Sequence, residues 1–341
     1  MGPTDIEREN LMSASKESLP PEKVTLAIEG WNARDLHSRA IFELSLQSIF
    51  DQSYPVRQCQ ILVLIDSGAS EEESVWIRQA LPQVEIVGIE GITYYRTKNR
   101  AMALAKGEVL VFADSDVRYA PDWLEQILGC VQVGNPIVVG NTQYESGTLS
   151  RTLDLCDWAA SRIGSGPTRW LYGNNLALSR EVFESIRFRS DMGKGGGGAV
   201  NVLQDELQER GIRPWFCEAA RARHQLPRFW VKRFRIGAFH VMTRRKAPEL
   251  EWSWTARVPI LAPFLVSGGM LIRAYQRAWR LRSTLPARGL SLPAYLLTIA
   301  FVKGAEFLGA AMVTWAPGYV GRHYGWFDIP ESSGGPAATP A

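Results

Sequence analysis

Between residues 23 and 117 the chain alternates strand-length apolar runs with segments of helical period. KVTLAIEGWN (23–32), QILVLID (60–66), VEIVGIE (84–90) and VLVFA (109–113) read as strands. Between them, RAIFELSLQSIF (39–50) gathers Ile41, Phe42, Leu44, Leu46, Ile49 and Phe50 on one broad helical face. Two more helices are expected, at about 71–80 and in TKNRAMALAKG (97–107). Alternation of this kind predicts an α/β fold with a parallel sheet, whose ligands bind at the carboxyl ends of the strands. Residues 29–32, Asp66 and Asp114 to Asp116 all stand at such ends.

Within GEVLVFADSDVRYAPDW (107–123) a buried strand runs into two acids one residue apart. The strand fixes the turn, so Asp114 and Asp116 can aim oxygens at one hard cation, and that cation can neutralise a diphosphate. An isolated pair of this kind more often caps the next helix, and Asp66 has the same alternative as a turn-capping carboxylate. The neighbouring segments therefore have to decide.

Five segments in order, IEGWN, SIFDQSYP (48–55), ILVLIDSGAS (61–70), RTKNRAMALAKGEVLVFADSDV (96–117) and YGNNLALSREVF (172–183), resemble the family 2 nucleotide-sugar glycosyltransferases over roughly 23–225. The resemblance implies a GT-A fold, a mostly parallel Rossmann-like sheet, followed here by C-terminal hydrophobic helices. It also implies an inverting, metal-dependent transfer from a nucleotide-diphosphate sugar to a hydroxyl on a carbohydrate or lipid-linked acceptor. In that reading Trp31, Asn32 and Asp66 contact the donor, and Lys98 and Asn99 frame its ribose and diphosphate. Asp114 holds the ribose or the metal's hydration shell, and Asp116 binds Mg2+ or Mn2+. Asp205, in NVLQDELQERG, matches the second acid of the family's catalytic pair, with Gln204 in place of the first and Glu206 as the rival. His224 falls where several members place a metal or diphosphate ligand. Ser67 and Gly30 depart from the family pattern at the nucleobase end, so the base stays open between uracil, thymine and guanine. The glycine-rich loop RSDMGKGGGGAV (189–200) reads either as a mobile lid or as a solvated connector.

A formal net charge of +3 over 341 residues is too small to suggest a nucleic-acid partner. The first twenty residues are polar, so no signal peptide is expected, and the four cysteines lack the spacing of a zinc site. From 228 the chain turns basic and aromatic: Arg228, Lys232, Arg233, Arg235, Arg244, Arg245 and Lys246 lie among Phe and Trp. Diphosphate or anionic lipid head groups are the expected partners of that run.

Two apolar stretches follow, 258–272 and 290–315. The first is interrupted by Pro263, Gly268 and Gly269, and the second carries Lys303 and Glu306 near its middle. They allow a membrane hairpin, helices lying in the interface, or a buried dimerisation lobe. The organisation expected is a flexible start (1–21), a catalytic domain (22–227), a basic aromatic connector (228–257), a membrane-associated helical region (258–328) and a disordered tail (329–341). The enzyme would then work at the cytoplasmic face of the membrane, in polysaccharide, glycolipid or envelope glycan synthesis. A non-catalytic nucleotide-sugar or membrane-binding protein is the alternative, and a haloacid-dehalogenase-type phosphatase a weaker one.

Overall fold

The computed structural model describes residues 19–30, 36–68, 71–80, 82–90, 93–144, 148–157, 164–192, 198–225, 229–250, 252–258, 260–282 and 292–324. Trp31, Asn32, residues 193–197 of the glycine-rich loop and the tail at 329–341 lie outside them.

The expected strands form with nearly the expected bounds: β1 Val24–Glu29, β2 Gln60–Asp66, β3 Glu85–Ile89 and β4 Val109–Asp114. They run parallel in the order β3-β2-β1-β4, with Glu29 level with Asp114. Their apolar runs are continuous because both faces are covered. Leu26, Ile28, Val63 and Val111 face Phe42, Leu46 and Ile49 of helix α1 (Leu36–Phe50). Ala27, Leu62, Leu110 and Phe112 pack on the other face with Tyr95 and Met102 of α3 (Tyr94–Leu104). Helix α2 (Glu71–Ala80) has the expected span. Helix α3 starts three residues ahead of its expected position because Thr93 caps it, its hydroxyl accepting from the Arg96 N–H.

Beyond β4 the sheet turns mixed, and this half was not legible as strands in the sequence. β5 (Val117–Tyr119), β6 (Ile137–Tyr144), β7 (Gly166–Pro167), β8 (Asn175–Ser179) and β9 (Trp215–His224) complete it. β8 is antiparallel to β4 and β6, β9 is parallel to β6, and β5 and β7 pair antiparallel with β9. Helices α4 (Trp123–Gln132), α5 (Thr148–Asp157), α6 (Arg180–Ser185) and α7 (Ala199–Glu209) connect these strands, and α7 ends two residues before Gly211.

The C-terminal lobe comprises α8 (Phe229–Lys246), α9 (Ala262–Arg280), α10 (Leu292–Trp315) and α11 (Pro317–Tyr324). Pro263 does not break α9: it occupies the first turn, where a missing N–H costs nothing, and Gly268 and Gly269 stay helical. α8 and α10 cross with backbones touching. A Cβ on Gly237 would lie 1.7 Å from the Glu306 carbonyl oxygen, and one on Gly309 1.8 Å from that of Phe234. Beside the crossing, buried Arg233 bonds both Asp157 on α5 and Glu306 on α10, and Glu306 also takes Lys303. Lys303 and Glu306, at i, i+3, thus pair with each other, and both side chains are buried within the protein.

Candidate active site

The DSD turn occupies the two residues between β4 and β5, and main-chain bonds from four directions fix it. Ser115 N donates to Glu29 O at 3.1 Å, and Gln225 N donates to Asp116 O at 3.0 Å. Ser45 Oγ donates to Asp114 O, while Asp114 N donates to Tyr119 Oη, whose own proton goes to Asn174 O. Strand ends β1 and β4 are thereby joined to the β5–β9 ribbon, and the backbone that carries the two carboxylates is fixed.

Asp114 is buried and already engaged. Lys98 Nζ lies 3.1 Å from one carboxylate oxygen, and Tyr94 Oη donates to the other at 2.7 Å. Lys98 itself is enclosed, its ammonium 4.3 Å above the Tyr94 ring and 4.8 Å above that of Phe112. Burial and the Asp114 charge push the Tyr94 hydroxyl well up, so it stays protonated and donates. Gly173 lets this cluster close, because a Cβ there would sit 2.8 Å from both Lys98 Cε and Tyr94 Oη. Each Asp114 oxygen retains lone-pair capacity for one more donor.

Asp116 is different: partly exposed, with its Oδ2 3.6 Å from His224 Nε2. His224 is placed by its register opposite Val117 on β5 and Tyr144 on β6. Its Nδ1 is 2.7 Å from Gln225 O, which can only accept, so Nδ1 carries the proton and Nε2 presents a lone pair to Asp116. Burial lowers the imidazole pKa, with the Asp116 charge acting against it, and a depressed value favours the neutral, ligating form. A carboxylate oxygen and an imidazole nitrogen with facing lone pairs at this separation suit one divalent cation. Among the described residues no group of three or more His, Cys, Asp or Glu could hold a metal, so donor or water oxygens would complete the shell. Two orphaned buried atoms, Ser115 Oγ and Asn174 Nδ2, mark further polar capacity at the turn and at the start of β8.

Residues 39–196 match Glycosyl transferase family 2. The chain carries a family 2 glycosyltransferase domain. No curated protein matches the sequence. Among solved structures, the mannosyltransferase PcManGT from Pyrobaculum calidifontis, in complex with GDP-Man and Mn2+, shares the GT-A architecture. It is 18% identical with a TM-score of 0.56, over 91% of this chain and 93% of its own. GalNAc-T7 with UDP, GalNAc and Mn2+ is 12% identical with a TM-score of 0.48, over 60% of this chain and 43% of its own.

The family 2 match includes Asp114, Asp116 and Lys98 and ends before Asp205 and His224, of which the strand register brings His224 to Asp116. Asp205 is half-buried on α7, whose Leu203 and Leu207 anchor it to the core. Its rival Glu206 is ion-paired with Arg210 one turn on. Asp66 Oδ1 accepts from Gly68 N at 3.1 Å, as a turn-capping carboxylate would. Asn99 spends its amide on the backbone of Phe188, in both directions. Lys98 reaches Asp114 rather than the open end of the site. Tyr94, Asn174 and Tyr144 were not singled out by the sequence reading. The i, i+4 spacing of Tyr94 and Lys98 on α3 could have exposed the first.

Proposed function

We propose that this family 2 glycosyltransferase moves a glycosyl group from a nucleoside-diphosphate sugar to a hydroxyl acceptor with inversion, using a divalent cation held by Asp116 and His224. The observation that carries the reading is the facing of the Asp116 carboxylate and the His224 Nε2 lone pair at the strand ends. The GDP-Man and Mn2+ bound to the similarly folded mannosyltransferase support the donor class and the metal. A bound cation would supply neutralisation of the charge that grows on the departing nucleoside diphosphate. Asp114, oriented by Lys98 and Tyr94, offers its remaining lone pairs to the donor ribose. Lys98 then acts through Asp114, and Asn99 by holding the Phe188 backbone. Trp31, Asn32 and Asp66 line the nucleoside side. Asp205 takes the proton of the acceptor hydroxyl as that oxygen attacks the anomeric carbon opposite the leaving group.

The acceptor side is proposed to face a membrane at its cytoplasmic surface, which favours a lipid-linked or envelope glycan acceptor. Helix α10 is long and apolar enough to cross a bilayer, with a mean hydropathy of 1.7, yet 50% of that window is buried within the chain. Its outer face exposes Leu297, Phe301, Leu308 and Trp315 beside Trp230 and Phe264. One apolar face with the charged face turned inward supports a helix lying in the interface rather than one surrounded by lipid. The test is release of nucleoside diphosphate from a panel of nucleotide sugars with Mn2+ and with chelator. Metal-dependent release from one donor is expected, and binding without release from any would overturn the transferase reading.

A further inference from the structure

We propose that Lys232, in the first turn of α8, binds the diphosphate of the donor and of the leaving nucleotide, a role that rests on the nucleotide-sugar reading above. Its ammonium stands 5.1 Å above the Tyr144 ring, which is 5.5 Å from the His224 ring, and His224 in turn faces Asp116. Tyr144 thus stands between the first turn of α8 and the Asp116–His224 pair. Other described members of the basic run are engaged elsewhere. Arg233 is consumed by Asp157 and Glu306. Arg245 donates to Ala256 O and Lys246 to Asp191 O, at the other end of the helix.

Lys232 has no such partner: among the described residues no acid lies within ion-pair distance of its ammonium. Asp157, the strongest source of compensating charge, already accepts from both guanidinium nitrogens of Arg233 and from Tyr144 Oη. Asp116 is taken by the cation in the proposed mechanism. Burial accordingly pushes the Lys232 ammonium down to about 8, against the pull of Asp157 and Asp116. A largely enclosed ammonium without its own acid is costly unless a ligand anion completes it. An anion contacting both Lys232 and a cation on Asp116 and His224 must present oxygens on two sides, which a diphosphate does.

The test is calorimetric binding, with MnCl2 present, of UDP, GDP and dTDP and of their monophosphates to wild-type protein and to Lys232→Gln and Lys232→Arg. For whichever diphosphate binds wild type, Lys232→Gln should lose about 10- to 100-fold in affinity, the worth of a charge-assisted hydrogen bond. The matching monophosphate should change by less than about threefold, because its missing β-phosphate is the group Lys232 contacts, and Lys232→Arg should recover most of the loss. If Lys232→Gln is poorly folded, Lys232→Met, which keeps an apolar stem over Tyr144, carries the same comparison. Unchanged diphosphate affinity, or equal loss for mono- and diphosphate, would overturn the proposal and leave the donor assignment standing. Wild-type protein that binds no diphosphate with Mn2+ would overturn both.

Discussion

In the sheet, buried charge is concentrated at the strand ends, where Lys98 neutralises Asp114 beneath the DSD turn. In the helical lobe, Asp157, Arg233, Glu306 and Lys303 form a closed group of two acids and two bases between α5, α8 and α10. The first arrangement leaves a neighbour, Asp116, partly exposed and facing His224; the second leaves its carboxylates fully engaged. Buried ions thus lie beside the candidate site in one region and between packed helices in the other. The surfaces differ in the same sense, since the sheet's outer layers are covered by its helices whereas the lobe exposes Trp279, Phe301 and Leu297.

That contrast can be broken by substitutions that should act on one region alone. The largest effect is expected from Asp205→Asn, which should slow transfer by about 10²- to 10⁴-fold with donor affinity retained. Parallel loss of donor affinity would make Asp205 structural, and a dead Glu206→Gln beside an active Asp205→Asn would move the base by one residue. In the lobe, Glu306→Ala strands Lys303 and leaves Arg233 with Asp157 alone, and should cost about 3–5 kcal/mol of stability in denaturant melts. Nucleotide affinity measured well below the melting temperature should hardly change. A loss of nucleotide affinity without loss of stability would show that the cluster belongs to the site after all.

The lobe should also give way first in acid. Burial pushes the Asp157 carboxyl up, but the Arg233 guanidinium outweighs it and holds the group well below the usual carboxylate range. A depressed folded-state pKa contributes stability that is present above the unfolded value of about 4 and is lost as pH falls below it. Melting temperature should therefore drop as pH falls below about 4, with a shallower slope in Asp157→Asn. The smallest effect on the fold is expected from Leu297→Ser with Phe301→Ser. Exposed changes of this kind alter stability by about 0.5 kcal/mol, yet they should reduce flotation with anionic vesicles. Undiminished flotation would remove this face from the membrane contact.

The parallel half of the sheet was legible because continuous apolar runs, turn residues and helical periodicity all agree between 23 and 117. The antiparallel half was not. β5 spans only Val117–Tyr119, and β6 mixes Val138 and Val139 with buried polar Asn141 and Thr142, so neither shows a clean pattern. At the site, Asp114 and Asp116 could be read from their position after a buried strand. The family resemblance already implied their division of labour, but the pairing of Asp114 with Lys98 and Tyr94 of α3 was not legible, because it rests on packing between separate elements. The lobe misled for a related reason: Pro263 looked like a break until its place in the first turn of α9 was known. Likewise, Lys303 and Glu306 looked costly in an apolar run until Arg233 was found across from them.

Whether Asp116 and His224 jointly hold a divalent cation is measured directly by Mn2+ binding in the presence of nucleoside diphosphate. Titration followed by the Mn2+ paramagnetic resonance signal should show one site in wild type, weakened at least about tenfold in His224→Gln and abolished in Asp116→Asn, with both variants folded. Mn2+ affinity equal to wild type in both variants would contradict that joint site.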